Sequence, residues 1–204
     1  MNAGPSQGGN LMQAVENSAI SPARRLLREE THAEHVRLNQ HPLLRGITKP
    51  DYPMSMYRLV LVAYYHFYGA IENAIDHSLS AQSVAFFGID PEDAALLPRT
   101  VLATLNIMNI GQLVGLLYTI EGSSLGGQVI SRHLEMHHGL TPANGARFFY
   151  GYGERIPEFW KDFEVFMDAS LTDDQARSSA KEMAKMTFAM MESTLDDYLA
   201  KHKP

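Results

Sequence analysis

The chain has 204 residues, 45% hydrophobic and 20% charged, which suits one globular domain with a sizeable core. Its net charge of −6 argues against a general nucleic-acid surface. The absence of cysteine excludes disulfides, thiolate metal sites and cysteine nucleophiles together, and fits a reducing, cytoplasmic setting.

Residues 1–21 lack the basic start and apolar run of a signal peptide and read as a flexible tail before a domain spanning 22–204. Ser21 followed by Pro22 is a helix start, with a hydroxyl cap and a proline at the first helical position. It opens one helix, "PARRLLREETHAEHVRLNQ". The turn "HPLLRGITKPDYP" separates this from a long helix, "MSMYRLVLVAYYHFYGAIENAIDHSL". Around Asp90-Pro91 a looser stretch carries a short helix. A glycine-bearing helix then runs to about His138 and stops at Gly139. "TPANGARFFYGYGERI" reads as short helix plus loop, "PEFWKDFEVFMDASL" as a helix, and the last helix starts with Thr172 as its cap. No alternating strand pattern and no run of about 18 apolar residues occurs, so the prediction is a single all-α domain without a membrane span.

The glycines of "QLVGLLYTIEGSSLGGQVISRHLEM" pose the first functional question, because each costs a helix interior about 1 kcal/mol against alanine. On a helical wheel Gly111, Gly115, Gly122 and Gly126 fall within roughly 60° of one another, with Gly127 outside and Ser123 at the border. Such a bare stripe admits either a flat ligand or a closely packed helix, and a bend at 122–127 is expected either way. In "LLREETHAEHVRL", His35 lies roughly 60° from the centre of the apolar side and His32 roughly 120°, so His35 faces inward. An inward histidine is a hydrogen-bonded core residue or a ligand. A bare helix opposite one histidine is how a haem is held when one side of its iron must stay open.

These stretches resemble the biliverdin-forming haem oxygenase family, bacterial type. "LLREETHAEH" is similar to the family's LxxxTxxxH proximal segment, which implies His35 as the iron ligand and Thr31 as the threonine before it. "YYHFYGAIENAI" resembles the aromatic-rich second helix. "YTIEGSSLGGQVI" resembles the distal motif G(D or S)xxGGQV, whose haem-facing glycines fall on Gly122 and Gly126. "AKMTFAMM" resembles the last helix, whose pocket-lining phenylalanine falls on Phe188. Two positions depart from the animal pattern: Ser123 replaces an aspartate that holds water against bound oxygen, and Asn39 stands where an acidic residue often follows the proximal histidine.

The resemblance implies a multi-helix bundle with haem between the first, proximal helix and a kinked, glycine-rich distal helix. It implies haem as cofactor and substrate, cleaved with O2 and electrons from an external donor to biliverdin, carbon monoxide and ferrous iron. Gly122, Ser123 and Gly126 would carry the distal side, and Arg28, Tyr118 and Lys161 are candidate contacts for the haem propionates. The expected partners are haem, a ferredoxin- or flavodoxin-type reductase system and a bilin-accepting protein. Arg24, Arg25, Arg28 and Arg37 make the first helix locally basic, which suits docking of an acidic electron carrier. Three rival readings remain: a non-catalytic haem carrier or sensor, a di-iron bundle using Glu29/His32 and Glu135/His138 with Glu72 and Glu192, and a helix-packing interaction domain with no ligand.

Overall fold

The computed structural model describes residues 20–78 and 107–201, and every regular element among them is a helix. They are α1 (Pro22–Glu30), α2 (His32–Asn39), α3 (Met54–Ser78), α4 (Ile110–His138), α5 (Arg147–Tyr150), a 3-10 turn (Gly153–Arg155), α6 (Ile156–Ser170) and α7 (Asp174–Lys201). None of these helices is long and apolar enough to cross a membrane. The expected tail before Ile20 and the short helix near Asp90 lie outside the described residues.

The helix ends follow the residues that permit them. Ser21 Oγ accepts the Arg24 N–H at 3.2 Å, and Asn109 Oδ1 accepts the Gln112 N–H at 2.9 Å. Gly139, at φ +65°, closes α4 by returning its N–H to Glu135. Two expectations are corrected. The first helix is two, broken at Thr31 (φ −103°, ψ 9°), whose hydroxyl donates back to the Leu27 carbonyl at 2.7 Å and opens that turn. The last helix is capped by Asp173 rather than Thr172, because the Asp173 carboxylate accepts the Ala176 N–H at 2.8 Å.

Helices α4 and α7 form the spine. Gly111 sits against the Ala176 carbonyl, Gly115 against Ala180, and Thr119 Oγ1 reaches the Ala184 carbonyl at 3.4 Å. Both chains advance four residues per contact, so the helices run side by side in the same direction. This pair divides two apolar clusters. One joins α3, α4, α5 and α7 through Phe67, Ile71, Leu116, Leu134 and Leu195; the other joins α1, α6 and the opposite faces of α4 and α7 through Leu27, Val114, Trp160 and Met167. Burying each such large side chain contributes about 1.5–3 kcal/mol.

Candidate functional site

The glycines of α4 separate into two kinds. A Cβ at Gly111 would lie 2.3 Å from the Ala176 oxygen, one at Gly115 2.1 Å from Ala180, and one at Gly127 2.7 Å from Phe149. These three exist so that backbones can touch. Around a Cβ at Gly122 or Gly126 there is nothing within 4 Å. Helix packing therefore accounts for Gly111, Gly115 and Gly127 and leaves Gly122 and Gly126 bordering open space. The helix runs without interruption from Ile110 to His138.

The α1–α2 break brings the proximal candidates together. Thr31 is almost fully buried, and the Tyr118 hydroxyl of α4 lies close enough for the two side chains to interact. That places the break in the first helical segment near α4, one turn before Gly122. Burial raises the Tyr118 pKa, with Thr31, Arg24 and Arg28 opposing, so the phenol stays protonated. The His35 ring stands edge-on to buried Phe188 of α7, ring centres 6.2 Å apart. His35 is open to solvent rather than turned into the core, as is His32. Loss of hydration among the surrounding groups, with His32 and Arg28 adding repulsion, still lowers the His35 pKa and favours the neutral imidazole. Asn39 sets its side-chain amide 3.4 Å from His35 Nδ1.

The distal side carries a polar chain that the sequence did not single out. Tyr68 of α3 places its hydroxyl 2.6 Å from Ser123 Oγ, and Ser123 donates in turn to the Ile120 carbonyl at 2.6 Å. Burial pushes Tyr68 up to about 12, so it remains a donor. Across the helix, Tyr152 donates to Glu121 Oε1 at 3.3 Å, and burial raises the Glu121 carboxyl despite that bond. The sequence signal for Tyr68 lay in the aromatic run "YYHFYGAIENAI", but spacing alone could not say which tyrosine meets Ser123.

Other candidates stand further apart. Arg28 is exposed and close enough to His35 and Tyr118 to perturb both. Lys161 is exposed on α6, and no hydrogen bond or ion pair joins it to the other site residues. The basic surface is smaller than the sequence suggested. Arg24 pairs with Glu164 at 2.6 Å over the Trp160 ring, and Arg37 pairs with Glu192 at 2.8 Å, which leaves Arg25 and Arg28. Among the described residues no group of three or more His, Asp or Glu side chains could hold a metal, so the di-iron set is not assembled there.

Comparison with known proteins bears on the family and the fold. The family described as Heme oxygenase matches residues 97–197. That span contains Tyr118, Gly122, Ser123, Gly126, Lys161 and Phe188, and begins after Arg28, Thr31 and His35. A haem oxygenase of Xanthomonas campestris pv. campestris is 34% identical over 82 residues, 40% of this chain and 48% of the relative, so the chain spans about half of that relative's length. The haem oxygenase structure from Leptospira interrogans superposes with a TM-score of 0.64 at 17% identity, covering 86% of this chain and 98% of the other. The NO- and CO-bound haem oxygenase from Neisseria meningitidis gives 0.62 at 18%, covering 89% and 94%. At such identities the two structures speak for the fold.

Proposed function

Since the chain belongs to the haem oxygenase family, we propose that it cleaves haem to biliverdin, carbon monoxide and ferrous iron, using O2 and electrons from an external donor protein. The observation that carries this reading is the open face at Gly122 and Gly126, glycines that no packing contact explains. When bound, haem supplies the oxygen-activating iron and the carbon skeleton that is opened.

The chain's own residues fit that group. His35 offers a neutral imidazole, and with Nε2 given to iron its proton resides on Nδ1. The partner at Nδ1 must then accept; Asn39, whose Nδ2 faces Nδ1 at 3.4 Å, would do so once its amide is flipped to present the oxygen. Phe188 packs beside the imidazole edge and limits its rotation. Gly122 and Gly126 would present bare backbone to bound haem, which would leave little room for a side-chain acid–base pair beside it. Ser123, exposed to the open face, holds water and passes on the proton that Tyr68 keeps supplied. Arg28 supplies positive charge for a propionate, and Arg25 and Arg28 are the surface left for an acidic electron carrier.

The test is purified protein with haemin, O2 and a reductant under catalase, followed by chromatography of the pigment. One predominant biliverdin isomer with carbon monoxide is expected. Intact haem after many equivalents of reductant would overturn the enzyme reading and leave a haem carrier.

A further inference from the structure

The side of α4 that holds Gly122 and Gly126 carries two histidines further along. His133 and His137 follow Gly122 and Gly126 by eleven residues each, three helical turns, and so lie on the same side of the helix within roughly 20°. His133 stands about 10 Å beyond Gly126 along the axis. The two imidazoles are half-buried, stacked with ring planes 26° apart, and His133 Nδ1 faces His137 Nε2 at 3.4 Å.

We propose that His133 and His137 form a two-histidine chelate for a divalent first-row transition-metal ion. Two nitrogens bound at about 2.0–2.1 Å in a tetrahedral site stand ~3.3 Å apart, which the present separation already meets. Among the described residues no carboxylate or further histidine completes a three-residue set, so water fills the remaining positions and the ion can exchange. Imidazole pairs suit zinc, copper, nickel and iron, and not magnesium or calcium, which take oxygen donors. Ferrous ion belongs to the accepted class. Its arrival from haem cleavage, one helix face away, rests on the function proposed above; the chelate itself does not.

The haem-free full chain is titrated with Zn2+ by calorimetry. One equivalent is expected to bind through the pair. His133→Ala and His137→Gln should each weaken that equivalent by about tenfold or more, because the chelate loses one arm. Both substitutions keep good or moderate helix formers, and unchanged circular dichroism checks the fold. His32→Ala, on another helix, should leave binding unchanged, and Mg2+ should not compete. Without oxygen, Fe2+ should displace Zn2+ only at higher concentration, following the order of divalent affinities. Absence of zinc binding, or binding unaltered by both substitutions, overturns the site and leaves an N–H···N hydrogen bond. Failure of Fe2+ to compete overturns its assignment as an occupant. Neither result depends on whether haem is degraded, which is read separately from the pigment.

Discussion

Asn39 stands one turn after His35 and offers an amide where a carboxylate would pull harder on the Nδ1 proton. The imidazole should therefore ligate as a neutral base. His35→Ala should abolish the histidine-ligated ferrous spectrum of the haem complex, and added imidazole should restore it, whereas His32→Ala should leave it intact. The reverse pattern would transfer the ligand to His32. Ser123 is the second residue whose chemistry can be isolated. Its hydroxyl already accepts from Tyr68 and donates to Ile120, and water can replace one hydroxyl in part. Ser123→Ala should slow turnover by about tenfold or less, and Tyr68→Phe by a similar factor. Because the two act in one chain, the double variant should be hardly slower than either single one. Single-turnover decay of the haem band measures all three, and a loss of several orders of magnitude in Ser123→Ala would make it the direct proton donor.

At the scale of the element, α4 contains its own control experiment. Gly111 and Gly126 occupy one face of one helix, yet one touches backbone and the other borders open space. Gly111→Ala drives a Cβ to within 2.3 Å of the Ala176 carbonyl and should destabilise the haem-free protein by about 1–3 kcal/mol. Gly126→Ala meets nothing and removes a poor helix former, so it should stabilise the haem-free protein by up to about 1 kcal/mol. Gly126→Leu should likewise fold, while haem binds weakly or binds without being cleaved. Denaturant unfolding paired with haem titration separates the two quantities. If Gly126→Leu binds and degrades haem normally, the open face serves something else. A glycine kept where alanine is more stable is a cost that only the bound state repays.

Across the whole molecule, α4 and α7 contribute to both apolar clusters, so neither cluster can be lost without loosening the other. Haem bound at the proposed site should therefore stabilise the fold as a unit. At a haem concentration about a hundred times Kd the gain is about 2.7 kcal/mol, which for a domain of this size raises the unfolding midpoint by about 5–10 °C. A melting curve with and without haemin checks this, and Gly126→Leu should show little or none of the rise. An equal rise in both would place haem away from the glycine face.

The sequence alone carried the helical class, the caps at Ser21 and Gly139, and the family motifs. These are local quantities: periodicity of 3.6, turn chemistry, and residue types at fixed spacing. It could not divide the glycine stripe, because Gly111, Gly115, Gly122 and Gly126 share one face and differ only in what lies across from them. It could not foresee the break at Thr31, which depends on a hydroxyl choosing the Leu27 carbonyl and on Tyr118 arriving from a helix far along the chain. Arg24 and Arg37 looked like free charge until Glu164 and Glu192 were brought beside them. Tyr68 acquired its place opposite Ser123 in the same way, across 55 residues of chain. Spacing along one helix says which side a residue is on; only the packing of the other helices says whether that side is filled, paired or left open.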